Sequence, residues 1–117
     1  MASVSLDGIR IEVPHRKAAE AIGDAVRRFA DDIAFNRFSE WGVQIQEREG
    51  GRLELQGRRD RTHFTAQVEP GDGRVIVTVG GAIEINALKL GLAGGSSGVR
   101  RRVQDSLERA LHQHLGG

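Results

Sequence analysis

Cysteine is absent from this 117-residue chain, which excludes disulfides and thiolate chemistry. No apolar run approaches the ~20 residues that a membrane-spanning helix needs. The opening Met-Ala-Ser-Val-Ser-Leu has neither a basic patch nor an apolar run before a cleavage site, so the reading is of a cytoplasmic rather than a secreted protein. No Pro/Ser-rich linker divides the chain, and its length suits one domain, residues 1–117, with one core. Charge of one sign is missing as well: 17 basic against 16 acidic side chains leave a net +1. That balance argues against nucleic acid as a partner, because general binders use a broad positive field.

The hydrophobic periodicity is informative. Val4 and Leu6 alternate, as do Ile9, Ile11 and Val13, and the phase changes at Asp7-Gly8, where a turn or bulge is predicted. Pro14 ends this strand. From His15 to residue 38, Ala19, Ile22, Val26, Phe29, Ala30 and Ile33 fall three or four apart and predict an amphipathic helix. Gly23 interrupts it at about 1 kcal/mol relative to alanine, a cost expected where a helix lies close to another element. Four alternating runs follow: Trp41, Val43 and Ile45; Leu53 and Leu55; Phe64, Ala66 and Val68; Val75, Val77 and Val79. Gly50-Gly51, Arg58-Arg59-Asp60-Arg61 and a longer Pro70-Gly71-Asp72-Gly73 segment supply the turns.

Ile83 and Ile85 continue the last strand, which passes into a short helix carrying Leu88 and Leu92. Gly91 to Gly98, rich in glycine and serine, read as a flexible connector. Val99, Val103, Leu107, Ala110, Leu111 and Leu115 then form a second helical stripe, with Ser97 as its N-cap. The expected fold is a two-layer α+β domain in the order β-α-β-β-β-β-α, an antiparallel sheet of about five strands with both helices on one face.

Candidate chemistry is sparse. His112 and His114, two positions apart, lie about 200° from one another around a helix, so they cannot bite one metal ion and read as exposed helix-end residues. His63 sits on the polar side of a strand with no nucleophile or second ligand beside it in sequence. His15 stands at a strand-to-helix junction, where its ring can bond backbone groups near the helix start. Gly94-Gly95-Ser96-Ser97-Gly98 precedes a helix but lacks the lysine of a P-loop. Asp31-Asp32 and Glu47-Glu49 read as solvated charge. No catalytic residue, cofactor or metal site is predicted.

Two surfaces remain as binding candidates. Leu88, Leu90 and Leu92 either close the core or contact something apolar. Arg100, Arg101 and Arg102, expected in the first turn of the last helix, where positive charge opposes the macrodipole, either pair with Asp105 and Glu108 or serve an anionic partner. Gln44, Gln46, Gln56, Thr65, Gln67 and Thr78 predict a polar outer sheet face that water, a partner or a second copy of the chain, as a homodimer, could cover. A different class of reading places a small-ligand cavity between the first helix and the sheet near Trp41 and Phe64. An RNA- or ribosome-binding module has a similar element order, although no aromatic residue interleaves with the arginines to stack on bases.

The segment Ile9-Arg-Ile-Glu-Val-Pro-His15, the alanine-rich helix after it, Trp41 opening the sheet, and Gly80-Gly81 ahead of a final amphipathic helix together resemble the polyhydroxyalkanoic acid system (granule-region) family, over about residues 8 to 115. The resemblance implies a small cytoplasmic protein linked to storage-polymer granules, without known catalytic residues, and the reading that follows is of a non-enzymatic accessory or binding protein. The chain departs from that pattern in starting its helix as His15-Arg-Lys-Ala, without a polar N-cap, and in a longer GGSSG connector.

Overall fold

The computed structural model describes residues 2–116. The α+β architecture is present: a single antiparallel sheet with helices on one face. Its strands are β1 (Ala2–Ser5), β2 (Ile9–Pro14), β3 (Gln44–Glu47), β4 (Leu53–Arg59), β5 (Thr62–Gly71) and β6 (Arg74–Ile85). The helices are α1 (Ala19–Asp32), α2 (Ala87–Leu92) and α3 (Gly95–Leu115). The spatial order is β1-β6-β5-β4-β3, with β2 following β1 along the same side of β6.

Six strands stand where about five were expected because the first is broken by one extra residue. Ser5 pairs with Ala82 and Ile9 with Val79, so Leu6, Asp7 and Gly8 face only Gly80 and Gly81. This is the bulge that the change of phase at Asp7-Gly8 announced. It keeps Val4 and Leu6 on the same buried face as Ile9, Ile11 and Val13. Leu6 N–H donates to the Gly81 carbonyl at 2.8 Å, and Gly81 N–H donates to Asp7 Oδ1 at 3.0 Å. Gly81 adopts φ +109°, and a Cβ there would run into the His63 carbonyl and lie 2.7 Å from Phe64 Cα, so no other residue fits the bulge.

The turns are tight. Asp60-Arg61 links β4 to β5 with Arg59 paired to Thr62, and Asp72-Gly73 links β5 to β6, so the expected four-residue turn contracts to two residues while Pro70 and Gly71 stay in the strand. Glu49–Gly51 forms a 3-10 turn between β3 and β4, closed by Arg48 N–H on the Arg52 carbonyl at 2.8 Å.

One face of the sheet is lined by Leu53, Leu55, Phe64, Ala66, Val68, Val75, Val77 and Val79, all buried. Ile22, Ala25, Val26, Phe29 and Ala30 of α1 and Leu107, Ala110, Leu111 and Leu115 of α3 cover it. Helix α1 contacts β4 and β5, α3 lies over β1 and β2, and the two helices touch one another. Each such apolar side chain contributes about 1.5–3 kcal/mol against the entropy of ordering the chain.

Four expectations at helix ends are corrected. Helix α1 starts at Ala19, because His15 is occupied in closing the junction: its Nδ1 accepts from Lys17 N–H at 3.1 Å and its Nε2 lies 2.9 Å from the Gly71 carbonyl. An accepting Nδ1 fixes the proton on Nε2, which donates to Gly71. Gly23 is exposed and nothing lies within 4 Å of a Cβ built there, so it is not a point of close approach. The segment read as a flexible connector is instead the end of α2, a turn at Ala93-Gly94, and the start of α3. Helix α3 therefore begins before Ser97, with Gly94 as its N-cap at φ +90° and no side-chain cap. Glycine composition misled the reading because Gly98 has a packing role: a Cβ at that position would strike the Ala93 carbonyl, so only glycine lets α2 turn this closely into α3.

Two glycines therefore have opposite expectations. Gly81→Ala should lower the unfolding free energy by about 2 kcal/mol or more, since backbone must move, whereas Gly23→Ala should raise it by about 0.5–1 kcal/mol; urea unfolding of both variants checks the contrast.

Candidate functional site

The corner between α2 and α3 collects the tentative binding residues. Asn86 caps α2, its side chain accepting from Leu88 N–H at 2.8 Å. Leu88 and Leu92 are 72% and 77% exposed, and Leu90 is half-buried. Core closure, one of the two readings of this segment, therefore does not describe Leu88 and Leu92. Because α3 starts at Gly95, Arg100 to Arg102 lie beyond its first turn, where the macrodipole has little hold. Arg100 is committed elsewhere: its guanidinium donates to the Ser5 carbonyl at 2.6 Å, tying α3 to the end of β1 beside the bulge. Arg101 and Arg102 are exposed, and among the described residues neither forms an ion pair; Glu108 sits 4.0 Å from His112 instead.

The other candidate centres on aromatic rings. After α1 a single π turn (Ile33–Arg37), closed by Phe38 N–H on the Ile33 carbonyl at 2.9 Å, swings Phe38 inward. Phe38, Trp41 and Phe64 form a triangle with ring centroids 5.1–5.3 Å apart and planes tilted by 45–59°, between stacked and edge-to-face and within the distance range of interacting aromatic pairs. Gly57, opposite Phe64, makes room for it, since a Cβ there would lie 2.5 Å from the Phe64 ring. The space between α1 and the sheet is thus filled by side chains at this point. Open grooves flank Trp41, one of about 260 Å³ reaching Arg61, Ile83 and Glu84, the other of about 400 Å³ reaching Arg58 and His63. Neither has an α1 residue in its wall; the grooves that α1 and the sheet share, of about 440 and 390 Å³, lie away from Trp41 and Phe64, beside Arg27 and Leu53 and beside Ile22 and Pro70.

The histidines do not converge. His112 faces Glu108, while His114 is half-buried against Asp32 at 3.2 Å, not exposed as expected. Asp32 also accepts from Asn36 Nδ2 at 2.9 Å and Arg37 Nε at 3.0 Å, and Arg37 reaches Gln113 at 3.3 Å, so this cluster ties the end of α1 to the end of α3. Partial burial pushes the Asp32 carboxyl up, but the hydrogen bonds from Asn36, Arg37 and His114 together outweigh it and hold the pKa at about 2. Asp32 is therefore no solvated charge. Glu47 is also engaged, by Arg27 at 2.6 Å. His63 is exposed on the outer face, paired across strands with Arg58 and Ala82.

That outer face carries no helix, and Gln44, Gln46, Gln56, Thr65, Gln67 and Thr78 are all exposed on it. Pairing lines them up in rows, Gln44-Gln56-Thr65 and Gln46-Glu54-Gln67-Thr78-Arg10. Sequence reasoning missed two features: the aromatic triangle, and Phe35, 70% exposed in the π turn. Phe35 falls off the stripe of Ile22, Val26, Phe29 and Ile33, which was the available signal. The fold and these surfaces define a two-layer α+β protein whose prominent exposed features are apolar and basic. No family model, curated protein or solved structure matches the chain.

The Asp32 cluster gives a signed pH dependence. Its folded pKa, about 2, lies below the ordinary aspartate value of 3.8, so the stabilisation is full above about pH 4 and is lost as pH falls toward 2. Asp32→Asn should cost about 1–2 kcal/mol at pH 7 and flatten the loss of stability over that acid range; thermal melts from pH 7 to 2 measure both.

Proposed function

We propose that this chain is a non-enzymatic accessory protein that docks on an apolar surface through α2, with Leu88 and Leu92 in contact and Arg101 and Arg102 at a charged rim, while half-buried Leu90, about 200° round the helix from both, packs inward. The observation that carries this reading is the exposure of Leu88 and Leu92 on a helix of six residues hung outside the core. Burying an exposed leucine contributes about 1.5–3 kcal/mol, so two give weak, reversible attachment for one molecule and effective attachment where many copies share a surface. The resemblance to the polyhydroxyalkanoic acid system family supplies the occupant: a storage-polymer granule. In this reading Arg100 positions α3 and contributes little to the rim, because its guanidinium is already bonded to Ser5. The Gln/Thr face is the surface on which a second copy would sit; its amides and hydroxyls are well hydrated, and the apolar contact is assigned to α2.

Co-sedimentation with polyhydroxyalkanoate particles tests the proposal. The Leu88→Asp, Leu92→Asp double variant should lose co-sedimentation while keeping the wild-type circular dichroism spectrum and melting temperature. Binding retained by this variant, or a collapsed fold, contradicts it. Leu90→Asp, at a half-buried position, should lower stability as well.

A further inference from the structure

Arg58 and His63 stand directly opposite one another on β4 and β5, both exposed on the outer face. An arginine that faces a histidine across an antiparallel pair finds no counter-charge in its cross-strand neighbour. Among the described residues neither has an ion-pair partner, although other arginines of the sheet and its turns do: Arg59 with Glu40, Arg48 with Glu54 at 3.0 Å, Arg74 with Glu12. Among the described residues Arg52 and Arg61, in the turns, have no ion pair either; what sets Arg58 and His63 apart is that they face one another across β4 and β5 at the wall of one groove.

The couple lines the groove of about 400 Å³ beside Trp41 and Phe64. Next along the strands, the Gln56 amide and Thr65 hydroxyl face one another and line the same groove. One end of the groove therefore offers a planar guanidinium, an imidazole and neutral hydrogen-bonding groups, and the other offers aromatic carbon. A guanidinium fork matches a carboxylate in two parallel hydrogen bonds. We infer that this groove binds a small organic carboxylate, its head held by Arg58 and His63 and its apolar body lying against the partly exposed Trp41. The site is separate from α2 and does not depend on the docking proposed above.

Trp41 is the sole tryptophan, so its emission reports the groove directly. Titration with sodium octanoate at pH 7 should give a saturable change in Trp41 emission. Octanol, which lacks the charge, and inorganic phosphate, which lacks the apolar body, should each need at least about tenfold higher concentration for the same change. Arg58→Gln and His63→Ala, both at exposed positions, should weaken octanoate about tenfold or more without altering the melting temperature. The Leu88→Asp, Leu92→Asp variant should bind octanoate as wild type does. An emission that octanoate leaves unchanged, a response that survives loss of Arg58, or phosphate binding as well as octanoate would overturn the assignment. Loss of the response in the α2 variant would move the binding to the docking helix instead.

Discussion

Registration on β6 is the constraint from which the rest of the molecule follows. This strand pairs with β5 on one side and with β1 and β2 on the other, so every inward residue of four strands must agree in phase with Val75, Val77 and Val79. A one-residue slip would send a strand's apolar set to water. The chain meets the constraint with one inserted residue at Leu6–Gly8 and one glycine at Gly81, which absorbs the distortion while its partner Phe64 continues the ladder. Asp7 satisfies the Gly81 amide and Arg100 the Ser5 carbonyl, so the backbone groups beside the bulge are bonded by side chains.

Because phase agreement is complete on the inner face, the helices find a continuous apolar floor and the outer face is left polar. Two tethers then fix the upper layer. At one end Arg100 holds the start of α3 to β1, and at the other Asp32 gathers Asn36, Arg37 and His114 where α1 and α3 end. The core consumes the long apolar side chains of the sheet and both long helices, which makes the leucines of α2 conspicuous. They lie after Ile85, the last residue paired to β1, and among the described residues Leu88 and Leu92 are left exposed while Leu90 is half-buried.

Much of this was legible in the sequence wherever a periodic signal ran for several residues. The stripes of α1 and α3, the alternation of the central strands and the broken phase at Asp7-Gly8 all correspond to what is observed. The His15 junction was legible too, because a histidine after a strand-ending proline has few other backbone groups to bond. What misled was composition. Gly91 to Gly98 read as a linker, yet Gly98 is there because the Ala93 carbonyl needs its missing side chain, a tertiary fact with no local signature. Gly23 misled in the opposite sense, since nothing approaches it. The partly buried Asp32 cluster and the Arg58–His63 couple both depend on pairs distant along the chain or across strands, which a single sequence does not disclose.

The central functional claim is that the apolar contact is made by α2 and the start of α3, apart from the element that carries stability. Hydrogen–deuterium exchange with and without polyhydroxyalkanoate particles measures both halves at once. The account predicts the slowest exchange along β6 in either condition, with particle-dependent protection confined to residues 87–102. Protection instead across the Gln/Thr face of β3 to β5, or none at α2, would contradict it.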